Sequence, residues 1–97
     1  MKKYVKLSPE FMCYPIWMEE GNIFLPINHY ELNISTELKQ KIEAWDNQYQ
    51  SIYVDDDPSD SEFETAIDEK KFIEIGHEIK KALQLELGSN YEVFYQP

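Results

Sequence analysis

The chain contains no arginine, and its nine basic residues are all lysines set against 19 aspartates and glutamates, so that its formal net charge is −10. Arginine is the side chain best suited to bind phosphate with two hydrogen bonds, and phosphate contacts supply most of the affinity of proteins for nucleic acids. We therefore expect no direct nucleic-acid binding. Such a surface attracts basic proteins, although excess acid is also an ordinary means of staying soluble.

Cysteine is equally scarce, because Cys13 stands alone and cannot form an internal disulfide. Small secreted domains often depend on several disulfides, so a single cysteine indicates a reducing compartment. The longest apolar run, residues 11–18, has eight residues and contains a proline, whereas a membrane-spanning helix needs about 20. Lys6, Pro9 and Glu10 interrupt the place where the apolar part of a signal peptide would begin. We expect a cytoplasmic protein with no membrane span.

Few side chains of the kind that carry catalysis are present. Cys13 lies in an apolar run, where a buried, inert thiol is expected more than a nucleophile activated by His29 or His77. His77 and Glu78 begin a pattern like that of zinc proteases, but Lys81 replaces the second histidine, and one imidazole cannot hold a catalytic zinc. We predict no catalytic residue, no metal and no cofactor. A small hydrolase remains an alternative that Cys13→Ser and His77→Ala variants would test.

One domain over residues 1–97 is expected, since the chain is 97 residues long, is 42% hydrophobic and has no repeat or linker. Strand-like patterns occupy Lys3–Leu7, residues 11–17, Ile23–Ile27 and Tyr91–Tyr95. Prolines at 15 and 26 favour edge positions or broken strands.

Two helices are predicted between these strands. The apolar residues of the first, behind an N-cap at Ser35, are Leu38, Ile42, Trp45, Tyr49 and Ile52. The second starts near Thr65, ends at Gly88 and carries Phe72, Ile75, Ile79 and Leu83. Gly76 interrupts it, at a cost of about 1 kcal/mol relative to alanine, which predicts a close crossing with the first helix under Trp45. The predicted fold is α+β, with a small antiparallel sheet packed against two long antiparallel helices.

The segment between the helices has six acids within residues 55–64. The pattern of a calcium-binding loop fails at two positions, because Asp60 stands where glycine is required and Ala66 where the bidentate acid is required, which leaves room only for weak, adventitious cation binding. A solvated loop is the simple interpretation. Acids interleaved with aromatic rings also suit a surface that attracts a lysine- or arginine-rich protein and then anchors it. The predicted partner-binding residues are Asp55, Asp56, Asp57, Asp60, Glu62, Phe63, Glu64, Tyr49 and Tyr53.

Several short segments carry a resemblance to a known group of proteins. They are Tyr14-Pro15-Ile16-Trp17, Trp45, Asp56-Asp57-Pro58 and Glu86-Leu87-Gly88. The first of these segments could belong either to the core or to an exposed contact patch. In these segments the chain resembles small bacterial proteins similar to the immunity proteins of contact-dependent growth inhibition and related polymorphic toxin systems. The resemblance implies a non-enzymatic cytoplasmic protein that neutralises one cognate toxin, often a nuclease. From the acidic charge of the chain we expect it to occupy a basic active-site or substrate-binding surface of that toxin. An acidic adaptor or regulatory module for another protein is the alternative, and a neighbouring toxin gene would distinguish the two.

Overall fold

A four-stranded sheet and two helices form the framework of the computed structural model, which describes residues 2–52, 63 and 65–97. The elements in chain order are β1 (Lys3–Leu7), β2 (Ile16–Glu20), β3 (Ile23–Ile27), a 3₁₀ helix (His29–Glu31), α1 (Thr36–Ser51), α2 (Ala66–Leu87) and β4 (Tyr91–Tyr95). The strands lie in the order β3-β2-β1-β4. This arrangement confirms the predicted α+β class.

The sheet is mixed, with two antiparallel pairs and one parallel pair. β2 is antiparallel to both β1 and β3, as predicted, whereas β4 runs parallel to β1, with Val5 opposite Val93. The reason lies in residues 28–35, which include the 3₁₀ helix and return the chain along the sheet before α1 begins. As a result α1 runs in the same direction as β1, α2 runs back, and β4 is parallel to β1 after the turn at Gly88.

The second strand differs from its predicted bounds, residues 11–17, because it begins only at Ile16. Residues before it form a turn, in which Met12 has φ of 63° and the Cys13 amide donates to the Glu10 carbonyl at 3.4 Å. The Gln50 side chain of α1 accepts from the Met12 amide at 2.9 Å and donates to the Glu10 carbonyl at 2.8 Å. These contacts with a distant helix override the β propensity of the segment.

The hairpin between β2 and β3 explains the position of one proline. Gly21 has φ of 62°, which suits the first residue of a two-residue type II′ turn. In the register that follows, Pro26 lies opposite Trp17, and its nitrogen faces away from β2. No ladder hydrogen bond is lost, so the predicted edge position of this proline is confirmed.

The two helices pack antiparallel, as predicted. Their N-caps are Ser35 and Thr65, whose side chains accept from the amides of Leu38 and Asp68. At one end Ser35 donates to the Glu86 carboxylate, in the middle Lys41 pairs with Glu78 at 3.0 Å, and at the other end Trp45 reaches Phe72. Residues further along α1 thus contact residues earlier in α2.

The core lies between the helices and one face of the sheet. The apolar residues predicted for each helix include three that are buried in this core. The buried apolar residues are Val5, Leu7, Ile16, Leu38, Ile42, Trp45, Phe72, Ile79, Leu83 and Val93. Val5, Leu7 and Val93 alternate along their strands with exposed or half-buried neighbours, so the opposite face of the sheet stays uncovered by the helices.

Gly76 is required by a strand rather than by the first helix, so the predicted crossing under Trp45 is wrong. A Cβ atom at this position would overlap the ring of Tyr95 in β4. The Tyr95 ring also meets the His77 ring edge-on at 4.9 Å and the Trp45 ring at 6.0 Å. Its hydroxyl is buried without a hydrogen-bond partner among the described residues, and burial raises the pKa of Tyr95 to about 12.

The Gly76→Ala variant should therefore lower the free energy of unfolding by about 1–3 kcal/mol, although alanine favours a helix by about 1 kcal/mol. Urea unfolding followed by circular dichroism measures this change. In a Tyr95→Ala background the same substitution should become neutral or stabilising, because the overlapping ring is gone. A stabilising effect of Gly76→Ala in the wild-type background would contradict the packing described.

The outer edge of β4 is occupied by one side chain of α2. Gln84 accepts from the Val93 amide at 2.9 Å and donates to the Tyr91 carbonyl at 2.8 Å, as a neighbouring strand would. Exposed strand edges invite pairing with other chains. Gln84 at this edge and Pro26 on β3 therefore both disfavour association edge to edge.

Replacing Gln84 by alanine should lower stability by about 1–2 kcal/mol, because two backbone groups lose their partner. It should also cause concentration-dependent association, measured by light scattering. Leu85→Ala is the matched control, since that side chain is 83% exposed on the same helix. Equal behaviour of the two variants would show that Gln84 does not protect the edge.

Candidate partner-binding site

A cleft of about 420 Å³ lies where β1, β4 and α1 end and α2 begins. The parallel pairing of β1 with β4 brings the segments after both strands to the same end of the sheet. The amide of Gln96 donates to the Leu7 carbonyl at 2.8 Å and fixes that arrangement. The cleft is lined by Ser8, Pro9, Glu10, Tyr49, Ile52, Phe63, Glu69, Phe72, Ile73, Gln96 and Pro97.

Stacked aromatic rings form the inner wall of this cleft. Phe72 is buried and lies parallel to the Trp45 indole, with ring centroids 4.6 Å apart and an interplanar angle of 9°. The rings of Tyr49 and Phe63 lie 5.7 Å and 5.0 Å from that of Phe72. Phe11 stacks on Tyr49, with ring centroids 4.5 Å apart. The wall is thus a continuation of the core.

Glu10 brings negative charge to the opening of the cleft. Its backbone carbonyl is held by Gln50, and the same amide group of Gln50 donates to the Asp46 carboxylate at 3.2 Å. Burial raises the pKa of the Tyr49 hydroxyl, and the nearby negative charge of Glu10 raises it further. Burial likewise raises the pKa of the half-buried Asp46 carboxyl, while its hydrogen bond from Gln50 lowers it. Glu10 therefore places negative charge beside the Tyr49 hydroxyl at the aromatic wall.

The structure brings together two of the nine residues predicted to bind a partner. Tyr49 and Phe63 both line the cleft, and both are half-buried because they pack against Phe72. One side of each ring thus belongs to the core, and the remainder borders the cleft. The other seven lie outside the described residues: Tyr53, Asp55, Asp56, Asp57, Asp60, Glu62 and Glu64.

Other residues of the cleft were not anticipated from the sequence. Ser8, Pro9 and Glu10 follow β1, Gln96 follows β4, and Glu69 and Ile73 lie on α2 beside Phe72. No local sequence pattern indicates that the segment after β1 lies beside the segment after β4. The parallel pairing of β1 and β4 would have been needed to place them together, and the sequence predicted the opposite direction.

The thiol and the two imidazoles do not converge. Cys13 is half-buried and has no hydrogen bond to either histidine in the part of the chain that the structure describes. His29 lies against Tyr14 and Tyr30, whereas His77 is exposed on α2 beside Tyr95. Within residues 2–52, 63 and 65–97, no group of three or more histidine, cysteine, aspartate or glutamate side chains is placed to hold a metal ion.

An acidic surface and an aromatic cleft on a small α+β framework are features of a protein-binding domain. Among the described residues, no helix is both long enough and apolar enough to cross a membrane. A family model described as "Serratia CdiI immunity protein-like" matches residues 3–97, and the chain belongs to that family. Membership implies a toxin immunity protein that binds a cognate toxin. A search of the curated proteins found no match.

His29 is a buried titratable group that lies outside the cleft. It is 3% exposed, and neither ring nitrogen has a hydrogen-bond partner within the described chain. Burial lowers the pKa of His29 below its usual value of 6.5, an effect that Glu43 opposes and Lys39 reinforces. The fold therefore favours the neutral imidazole, and its contribution to stability is present above pH 6.5 and lost as the pH falls toward the lowered pKa.

Relative to the His29→Phe variant, the wild-type protein should lose stability between pH 7.5 and pH 5.5. Phenylalanine keeps the ring contacts with Tyr14 and Tyr30 and does not titrate. Urea unfolding at both pH values gives the comparison, in which titration of the many carboxylates is common to both proteins. Parallel pH profiles for the two proteins would contradict the burial of a neutral imidazole.

Proposed function

We propose that this chain is a cytoplasmic immunity protein that neutralises a nuclease toxin by covering the basic surface on which the toxin binds nucleic acid. The observation that carries the proposal is membership of an immunity-protein family over nearly the whole chain. The net charge of −10 supports a basic target, because opposite potentials speed encounter and suppress wrong partners. A nuclease offers such a target, since its cleft is built to bind phosphates.

The proposed contact surface is the acidic segment between the helices together with the aromatic residues beside it. Its members are Tyr49, Tyr53, Asp55, Asp56, Asp57, Asp60, Glu62, Phe63 and Glu64. Carboxylates there would occupy positions that nucleic-acid phosphates take in the toxin. Support comes from Tyr49 and Phe63, which border a cleft with glutamates at its opening. The half-buried rings would act as rigid anchors, because they are already ordered by contact with Phe72.

The alternative is an acidic adaptor that binds another kind of protein. Co-purification from the native host, followed by identification of the bound protein, separates the two. A toxin domain encoded beside this chain is the expected partner. A neutral or acidic partner would overturn the electrostatic part of the proposal.

Changing Asp55, Asp56 and Asp57 together to asparagine should slow association with that toxin domain by about tenfold at low salt and flatten its salt dependence. The measurement is the association rate constant at several salt concentrations. The matched control changes Glu19, Glu37 and Glu92 to glutamine, which removes the same charge from the sheet and from the far end of α1. Equal slowing by both triple variants would argue against a contact at the segment.

A further inference from the structure

The cleft has negative charge that the chain itself does not balance. Glu10 and Glu69 both line it, and the one ion pair within 4 Å among the described residues is Lys41 with Glu78, on the middle of the helix pair. The sequence from residue 42 to residue 69 contains no lysine at all. Lys70 and Lys71 follow Glu69 in the sequence, but neither Glu10 nor Glu69 forms an ion pair within the described residues, so both carboxylates are open to a cation that enters the cleft.

The walls of the cleft suit a cation that has a flat charged group on a long aliphatic stem. Tyr49 and Phe63 are half-buried, so part of each ring is left at the cleft, where a guanidinium group can stack on it. Ile52 and Ile73 supply aliphatic surface for the methylene stem. The volume of 420 Å³ falls within the range of roughly 300–1,000 Å³ that is typical of ligand pockets.

We propose that this cleft receives an arginine side chain of the protein partner, with its guanidinium group between the aromatic wall and the carboxylates of Glu10 and Glu69. Arginine fits better than lysine, because its planar group stacks on rings and also donates several hydrogen bonds to carboxylates. The proposal rests on the proposed function, in which the partner has a basic surface. It adds a specific pocket on the described framework to the contact made by the acidic segment.

Titration of the isotope-labelled full chain with Nα-acetyl-arginine N-methylamide, followed by NMR, tests the pocket without any toxin. Saturable shifts are expected at Ile52, Phe63 and Ile73. The citrulline analogue has nearly the same shape without the charge, and it should give no saturable shift. Equal shifts with citrulline, shifts confined to other residues, or no shift with the arginine compound would overturn the proposal.

The Glu10→Gln, Glu69→Gln double variant should bind the arginine compound about three- to tenfold more weakly. The matched control is Glu31→Gln with Glu74→Gln, which removes the same charge from exposed positions that do not line the cleft. Equal weakening by both double variants would overturn the proposal, because general electrostatic attraction would then explain the binding. Dispersed amide spectra establish that each variant is folded.

Binding of the toxin domain separates failure of this pocket from failure of the proposed function. If wild type and the Glu10→Gln, Glu69→Gln variant bind the toxin domain equally tightly, the pocket proposal is wrong and the immunity function stands. If the arginine compound binds as expected but no toxin domain binds the wild type, the proposed function is wrong and the cation pocket stands.

Discussion

The packing of Trp45 against Phe72 is the contact on which the rest of the structure depends. The indole lies parallel to the Phe72 ring, and its N–H donates to the Phe72 carbonyl at 2.9 Å, so α1 and α2 are joined by both packing and a buried hydrogen bond. The same indole meets Tyr95 of β4 edge-on, and Tyr95 lies where Gly76 leaves room for it. One buried tryptophan thus contacts both the second helix and the sheet, and the Tyr95 ring that it meets leaves no room for a side chain at Gly76.

This junction also shapes the proposed binding surface. The Phe72 ring contacts Trp45 as well as Tyr49 and Phe63, so the cleft wall is packed directly against the core. Rigid aromatic anchors lose little entropy on binding. Gln84 and Pro26 disfavour pairing at the two sheet edges. The framework that carries the acidic residues therefore resists association through its strands.

Local signals in the sequence were sufficient for most of the framework. Ser35 and Thr65 cap the helices as predicted, and the apolar stripes through Ile42 and Ile79 face the core, because capping and periodicity are properties of a few neighbouring residues. Features that depend on distant residues were not predictable in this way. The turn at Met12 is held by the side chain of Gln50, and the space beside Gly76 is occupied by the ring of Tyr95. The cleft forms because β4 pairs parallel with β1. Of the residues that line the cleft, Tyr49 and Phe63 were predicted as partner-binding residues, because they lie beside or within a run of acids.

Hydrogen–deuterium exchange of the chain with and without its toxin domain locates the toxin contact without any substitution. If the toxin binds at the cleft and the acidic segment, we expect new protection of backbone amides in residues 8–10 and 49–73 and little change in β2 and β3. Protection confined to the uncovered face of the sheet, with residues 49–73 exchanging as they do in the free protein, would contradict binding at this site.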